Sequence, residues 1–402
     1  MVTLTDIQTA LGRIRDSIVL TPCGVSQDFS NATGNTVHLK LENHQHTGAF
    51  KERGALNKIL SLTPAERTRG LIAASAGNHA QAVAYHATRS GLTAEIWMPL
   101  TTPLVKVSAT RAYGAEVQLH GNNYDEAYHG AIARSRDAGL TFVHPFDDPE
   151  VIAGQGTLGL EILQQVPEAD AVIVPIGGGG LISGIACAVK ESRPHTRVIG
   201  VQTARLPSMR VAVAENSAVT IPAASTIADG IAVRCAGERT LPMVRKYVDD
   251  IVTVEEEEIA NAILLLLERE KTLAEGAGAA PLAAILNRKL GLTGKRVVVL
   301  VGGGNIDVTL LSRIIERGLV KDGRLVRLRV HLPDRPGALH HLTGVLTQHR
   351  ANIVQTVYDR AYHRVNLGET AIELTLETRG PEHVDELISA LGAAGYSYER
   401  VL

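Results

Sequence analysis

Two short runs constrain the fold more than anything else in the chain: ADAVIVPI at 169–176 and KRVVVLV at 295–301. Each is β-branched and apolar for four or more consecutive residues. A strand with one wet face alternates in polarity, so an unbroken apolar run predicts a strand covered on both faces, as in a parallel sheet flanked by helices. TVHLKLE (36–42), AEIWMP (94–99) and TRVIGVQ (196–202) read as further strands of the same kind, separated by helical stretches. Helix starts are also legible. In Thr63-Pro64-Ala65-Glu66, Thr63 suits the cap, Pro64 the first helical position and Glu66 the reciprocal capping bond. Thr253-Val254-Glu255-Glu256 reads as a second start, opening IANAILLLLEREK, and its run Glu255 to Glu258 fits carboxylates at the positive end of a helix better than a metal site. MVTLTDIQTALGRIRDS reads as an amphipathic helix with a capping-box start. From about residue 36 to 320 the expectation is an α/β core.

After residue 320 the pattern changes. ERGLVKDGRLV, charged and punctuated by glycine, reads as a hinge. It is followed by strand LVRLRVHL, helix GALHHLTGVLTQH, strands NIVQTVYD and ETAIELTLET, helix EHVDELISALGAAG and strand YSYERVL. This βαββαβ order is the ferredoxin-like split motif.

Composition narrows the function. The 402 residues carry a formal net charge of -2 and 3% aromatics, so neither a basic field nor a stacking surface points to nucleic acid. The three cysteines, Cys23, Cys187 and Cys235, lie far apart, which fits neither a zinc site nor a disulfide framework. No apolar run has membrane-spanning length and the N-terminus lacks a signal-peptide core, so the expectation is a soluble cytoplasmic protein with no membrane or nucleic-acid partner and no metal.

Three glycine-dense loops carry the chemistry. Gly177-Gly178-Gly179-Gly180 follows an apolar strand and precedes the helix-like LISGIACAVK. Its amides can converge on an anion, helped by the helix N-terminus, which makes a phosphate cradle. The spacing matches neither G-x-G-x-x-G nor G-x-x-x-x-G-K-[ST]. Gly302-Gly303-Gly304-Asn305 follows KRVVVLV in the same position, and two such loops can line one crevice at the strand ends. Ser75-Ala76-Gly77-Asn78-His79 offers amides and side chains for a carboxylate, although His79 on its own reads as a packed or helix-start histidine. Lys51 stands beside Phe50, just after His46-Thr47-Gly48. An amine in a partly apolar pocket has a depressed pKa and can form a Schiff base. Cradle, lysine and carboxylate loop together allow pyridoxal phosphate chemistry on an amino acid, without requiring it.

LENHQHTGAFKERGALNKI, SAGNHAQAVA, FDDPEVIAGQGTLGLEI, PIGGGGLISG, TIADGIAV, LAEGAGAAPLAAIL and GGGNID resemble the threonine dehydratase (threonine ammonia-lyase) and serine racemase family of fold-type-II pyridoxal phosphate enzymes. These have a tryptophan synthase β-like α/β fold. VHLPDRPGALHHLTGVLTQHRANIVQTVYDR is similar to an ACT regulatory domain. The resemblance implies a catalytic domain at 1–318 with a small subdomain at about 52–150 inserted in it, a linker at 319–325 and an ACT domain at 326–402. It implies that Lys51 carries the cofactor and removes the Cα proton. It further implies cofactor contacts at Phe50, Asn78, Gly177, Gly178, Gly179, Gly180, Leu181, Glu275 and Gly302, and a substrate carboxylate at Ser75, Gly77, Asn78 and His79. The implied reaction takes L-threonine to 2-oxobutanoate and ammonia, with L-serine as a second substrate. In the ACT domain, Asp334, Pro336, Gly337, Ala338 and Leu339 would form an effector pocket for isoleucine or valine, with AMP the alternative, in a homodimer or homotetramer.

Three departures bear on this. Ala76 stands where serine racemases carry their second proton-donating serine, which favours dehydration over racemisation. Gln202, with Ser208 roughly at the partner position, replaces the carboxylates of their divalent-metal site. Gly302 replaces the serine that bonds the pyridine nitrogen. That last change leaves room for another β-hydroxy amino acid, such as threo-3-hydroxyaspartate or phenylserine. A non-catalytic amino-acid sensor is the remaining alternative, opposed by Lys51, Asn78 and the glycine cradle.

Overall fold

The computed structural model describes residues 1–359 and 366–401 and divides into two compact units, Met1–Ile306 and Asp307–Leu402. The first unit holds strands β1 (Cys23–Ser26), β2 (Thr36–Leu41), β3 (Leu71–Ala74), β4 (Ala94–Met98), β5 (Glu116–Leu119), β6 (Thr141–Phe142), β7 (Ala171–Pro175), β8 (Arg197–Thr203), β9 (Asp250–Val254) and β10 (Arg296–Val301). They form two sheets, ordered β1-β2-β10-β7-β8-β9 and β5-β4-β3-β6. All pairings are parallel except β1 with β2, an antiparallel edge that the sequence pattern does not announce. The two unbroken apolar runs, β7 and β10, lie side by side in the middle of the larger sheet, and both are buried apart from half-buried Arg296.

From β7 the chain steps outward through β8 and β9, then returns to place β10 on the other side of β7. In an open α/β sheet a ligand crevice forms at such a reversal, beyond the strand C-termini. The loops leaving β2, β10 and β7 therefore converge there.

The expected N-terminal helix spans Leu4–Ile14, with a capping box in which Thr3 N–H donates to Asp6 at 2.8 Å and Ile7, Ala10 and Ile14 buried. Thr63 and Glu66 likewise cap the Pro64–Arg69 helix. Thr253 does not cap: its backbone is needed in β9, where it pairs with Gln202, so the cap falls to Glu255, whose N–H donates to Glu258 at 2.7 Å. Glu256 accepts from Ile227 N–H and Thr226 Oγ1, both at 2.7 Å, and Glu258 meets Lys289, so the acidic run serves the helix start and its surroundings.

A buried ionic cluster anchors the Lys51–Leu60 helix. Arg53 donates to Glu42 at 2.7 Å and to Glu161 at 2.6 Å, and Lys40 donates to Glu161 at 2.8 Å and to the Thr21 carbonyl at 2.9 Å. Two cations and two carboxylates, all buried, neutralise one another, and that pairing is what makes such burial tolerable. The Pro149–Gln165 helix crosses very close by: a Cβ at Gly154 would lie 2.5 Å from the Arg53 carbonyl.

The second unit begins with the Val308–Lys321 helix, capped by Asp307. The stretch expected to be a hinge, and with it the linker at 319–325, is instead the end of that helix and a short turn at Gly323, whose φ is +63°. The amphipathic run through Ile314 continues the helix past Gly318. Strands β11 (Leu325–Pro333), β12 (Asn352–Asp359), β13 (Glu369–Glu377) and β14 (Ser397–Arg400) form an antiparallel sheet ordered β12-β13-β11-β14. With helices Ala338–Gln348 and Pro381–Ala393 this is the anticipated βαββαβ arrangement. One face packs Leu328, Val330, Ile372 and Leu374 against Leu342, Leu346, Leu387 and Leu391, while Arg329 pairs with Glu373 and Glu399. Among the described residues no helix is long and apolar enough to cross a membrane.

Candidate active site

The segment before the Lys51 helix is laid along the third glycine loop. Phe50 N–H donates to the Gly302 carbonyl at 3.0 Å, Gly304 N–H to the Gly48 carbonyl at 2.9 Å, and Ala49 bridges Gly303. This fixes Lys51 at the first position of its helix, above the end of β10. Its Nζ donates to the Pro145 carbonyl at 2.6 Å and stands 5.3 Å from the Phe50 ring centroid. Burial pushes the amine pKa down to about 8, with Glu275 pulling the other way. An amine so depressed is largely unprotonated only a little above neutral pH.

The four-glycine loop needs its glycines for close approach. A Cβ at Gly178 would lie 2.4 Å from the Phe146 ring, and one at Gly180 2.5 Å from the Phe146 carbonyl. Gly179 has φ +98°, which disfavours any side chain. The helix Gly180–Ser192 starts here, so the amides of Gly180, Leu181 and Ile182 have no acceptor within it and lie at its positive end. A glycine loop at a helix N-terminus offers main-chain amides that suit a phosphate group.

Ser75 to Gly77 link β3 to the Asn78–Arg89 helix, which Asn78 and His79 open. Ser75 Oγ accepts from Gly77 N–H at 3.2 Å, a turn that shapes the loop. The His79 ring is buried, with Nε2 2.8 Å from the Val143 carbonyl, and desolvation takes its pKa to about 3. It is therefore a packed, neutral histidine, and its main chain is the part that faces helix-start chemistry. Asn78 reaches across to the larger sheet: its Nδ2 donates to Glu275 Oε1 at 2.7 Å. Glu275 directly precedes the Gly276–Leu286 helix, and burial, with Asp229 nearby, raises its pKa to about 8.

Gly302 sits between Phe50 and Pro175, and a Cβ there would meet Phe50 Cδ1 at 3.4 Å, an ordinary contact. Glycine at this position is not forced by lack of space. Gln202 is buried and structural: its Oε1 accepts from Arg210 N–H at 2.9 Å. Ser208 Oγ donates to the Val233 carbonyl at 2.6 Å.

In the second unit Asp334 to Gly337 lie between β11 and the Ala338–Gln348 helix, where Gly337 turns the chain with φ +88°. Asp334 N–H donates to the Gly368 carbonyl at 2.9 Å and Ala338 N–H to the Arg335 carbonyl at 3.3 Å, while Leu339 is exposed.

Several contributors to the first site escape a reading by sequence. The Pro145 carbonyl, buried Glu52, Thr47 and Asn305 all touch it or its supports. Asn305 was visible as the end of GGGN, but nothing in the motif says where its side chain points.

Comparisons with known proteins bear on the chain as a whole. Residues 14–303 match the family described as pyridoxal-phosphate dependent enzyme. The L-threonine ammonia-lyase of Thermotoga maritima is 49% identical over 396 residues, covering 98% of each chain. A processed threonine deaminase isoform from Solanum lycopersicum superposes with a TM-score of 0.75 at 36% identity, covering 78% of this chain and 91% of its own. Maize serine racemase gives 0.75 at 33% identity, with 80% and 98% covered. The fold and site define a pyridoxal phosphate enzyme of the fold-type-II class. The chain belongs to the pyridoxal-phosphate dependent enzyme family.

Proposed function

We propose that the protein converts L-threonine to 2-oxobutanoate and ammonia, and L-serine to pyruvate more slowly. The observation that carries this reading is the nearly full-length identity to the Thermotoga L-threonine ammonia-lyase, joined to Ala76 in the loop where a racemase needs a second hydroxyl. Pyridoxal phosphate, when bound, supplies a sink for the charge left at Cα. The Gly177–Gly180 loop and the Leu181 amide would hold its phosphate, Lys51 would carry it, and Phe50, Asn78, Glu275 and Gly302 would line its site. Lys51, freed when the substrate amine takes its place, would then serve as the base at Cα, a role suited to an amine with a pKa of about 8. Ser75, Gly77, Asn78 and the His79 main chain bind the substrate carboxylate at the start of their helix. The test is 2-oxo acid release from L-threonine with L-serine beside it. Preferred turnover of threonine is expected, and no product from either would overturn the reading.

We further read 1–318 as the catalytic part and 326–402 as an ACT regulatory domain that binds isoleucine or valine at Asp334, Pro336, Gly337, Ala338 and Leu339. The ferredoxin-like strand order and the glycine-turned helix start support this. Edge strand β12 exposes Val354, Val357 and Tyr358, which favours assembly as a homodimer or homotetramer. We place such an enzyme in the cytoplasm, serving either isoleucine synthesis or threonine breakdown. Inhibition of threonine turnover by isoleucine or valine checks the effector, and sedimentation the assembly.

A further inference from the structure

We infer that Asn305 is a positioning residue that fixes the carboxamide of Asn78 with its N–H side turned into the cofactor site. The inference rests on the reading of Asn78 as a contact of pyridoxal phosphate.

The argument starts from an atom that admits one role. The Thr47 main-chain carbonyl can only accept a hydrogen bond. Asn305 Nδ2 lies 2.7 Å from it, so this end of the Asn305 amide is its NH2 group. The same Nδ2 lies 2.8 Å from Asn78 Oδ1, and with that contact both of its hydrogens are used. The atom that Asn78 presents to Asn305 is therefore its acceptor, and its own NH2 must face the other way, where it reaches Glu275 Oε1 at 2.7 Å. A single backbone carbonyl thus sets two amide orientations in succession.

Each link is held from outside. The Thr47 N–H donates to the buried Glu52 carboxylate, which also meets His86 Nε2 at 3.2 Å and His46 Nδ1 at 3.4 Å, so the Thr47 peptide is clamped on both sides. Gly48 stands at φ +74°, and a Cβ there would come within 2.8 Å of Asn305 Oδ1, so the amide lies tight against the chain. Glu275 is fixed by its N–H on the Gly303 carbonyl at 3.0 Å. Asn305 follows β10 in the larger sheet, Asn78 follows β3 in the smaller one, and Thr47 precedes Lys51. One side chain therefore ties the lysine segment to the helix start across the two sheets.

Asn305→Asp keeps the shape but replaces the donor with oxygen, opposing both the Thr47 carbonyl and Asn78 Oδ1. Asn78 then turns over and presents oxygen to the site. Asn305→Ala releases the amide without repulsion. The experiment titrates the stripped protein with pyridoxal phosphate and follows the pH midpoint of the visible absorption of the bound cofactor, in wild type, Asn305→Asp, Asn305→Ala, Asn78→Ala and the Asn305→Ala/Asn78→Ala double variant. Each Asn305 variant is expected to bind the cofactor about tenfold more weakly, the loss of one hydrogen bond to a charged oxygen. Each is also expected to shift the midpoint in the direction that Asn78→Ala does. The double variant is expected to be no worse than Asn78→Ala alone, since Asn305 acts through Asn78. A purely structural role would lower Tm and leave the midpoint in place. Should Asn305→Asp fail to fold, Asn305→Ala carries the test. Wild-type affinity and midpoint in Asn305→Ala, or a double variant showing the product of the two single losses, would overturn the inference. Threonine turnover is scored separately on the wild type, so failure of the substrate reading is seen in a different measurement.

Discussion

Replacing Arg53 with methionine is the sharpest test of how the Lys51 helix is held. The guanidinium makes bonds of 2.7 Å to Glu42 and 2.6 Å to Glu161, with no exposure of its own side chain. Methionine fills much of the volume, so the cost comes chiefly from leaving a buried carboxylate short of a partner, about 3–5 kcal/mol. The loss is also predicted to depend on pH. Burial alone would raise the Glu161 pKa, but Arg53 and Lys40 together hold it below the ordinary 4.5. In the wild type, Glu161 therefore contributes stability that is present above 4.5 and fades as pH falls through its folded value. Without Arg53 the folded pKa rises, the carboxyl takes up a proton in the native state, and acid relieves the strain. Denaturant unfolding of both proteins from about pH 7 to about pH 4 should show the gap narrowing as the solution is acidified. A gap under about 1 kcal/mol at neutral pH, or one constant over that range, would refute the account of the cluster as a mutually neutralised set.

Other consequences follow from the same contacts. Lys51→Ala should abolish threonine turnover while leaving the melting temperature unchanged or higher, because the variant buries no amine; near-normal turnover would remove Lys51 from its role. Gly178→Ala drives a Cβ to 2.4 Å from the Phe146 ring, so a stability loss of about 1–3 kcal/mol should accompany weaker cofactor binding in a pyridoxal phosphate titration. Glu275 binds its proton more tightly folded than unfolded, so it lowers stability as pH rises from 4.5 through about 8. Glu275→Gln should lack that decline, and its advantage over wild type should grow by up to about 1.4 kcal/mol per pH unit across the window, measured by unfolding. Ala76→Ser restores a hydroxyl to the carboxylate loop and should bring measurable D-serine from L-serine by chiral chromatography; its absence would count against the assigned cause of dehydration over racemisation.

The central strands were legible because burial on both faces leaves a run of apolar residues that no other environment requires, as in 171–174 and 297–301. Four glycines in a row marked Gly177–Gly180 as special and were read as an anion cradle, but the packing of Phe146 against Gly178 and Gly180 could not be read, because Phe146 arrives from another element. What could not be read is anything that depends on partners far along the chain. Glu52 and Arg53 look like two solvated charges beside Lys51, yet both are buried, because His86, Glu42 and Glu161 arrive from other elements. The capping role expected of Thr253 failed for the same cause, since its pairing with Gln202 in β8 decides its backbone before the helix can claim it. The edge strand β1 is short and only partly apolar, and what makes it a strand is β2 beside it.

The place of β10 between β2 and β7 has a consequence for how the chain is made. β2 ends at Leu41 and β7 at Pro175, but the strand that joins them starts only at Arg296. At about 5–20 residues per second, the ribosome delivers that strand roughly 10–50 s after β2 has emerged. Throughout that interval β2, joined about halfway through by β7, carries an edge still waiting for its partner, the kind of surface that recruits other chains. The first unit therefore cannot complete itself in instalments, and a nascent chain stalled before residue 296 is predicted to depend on chaperone cover until its last strand arrives.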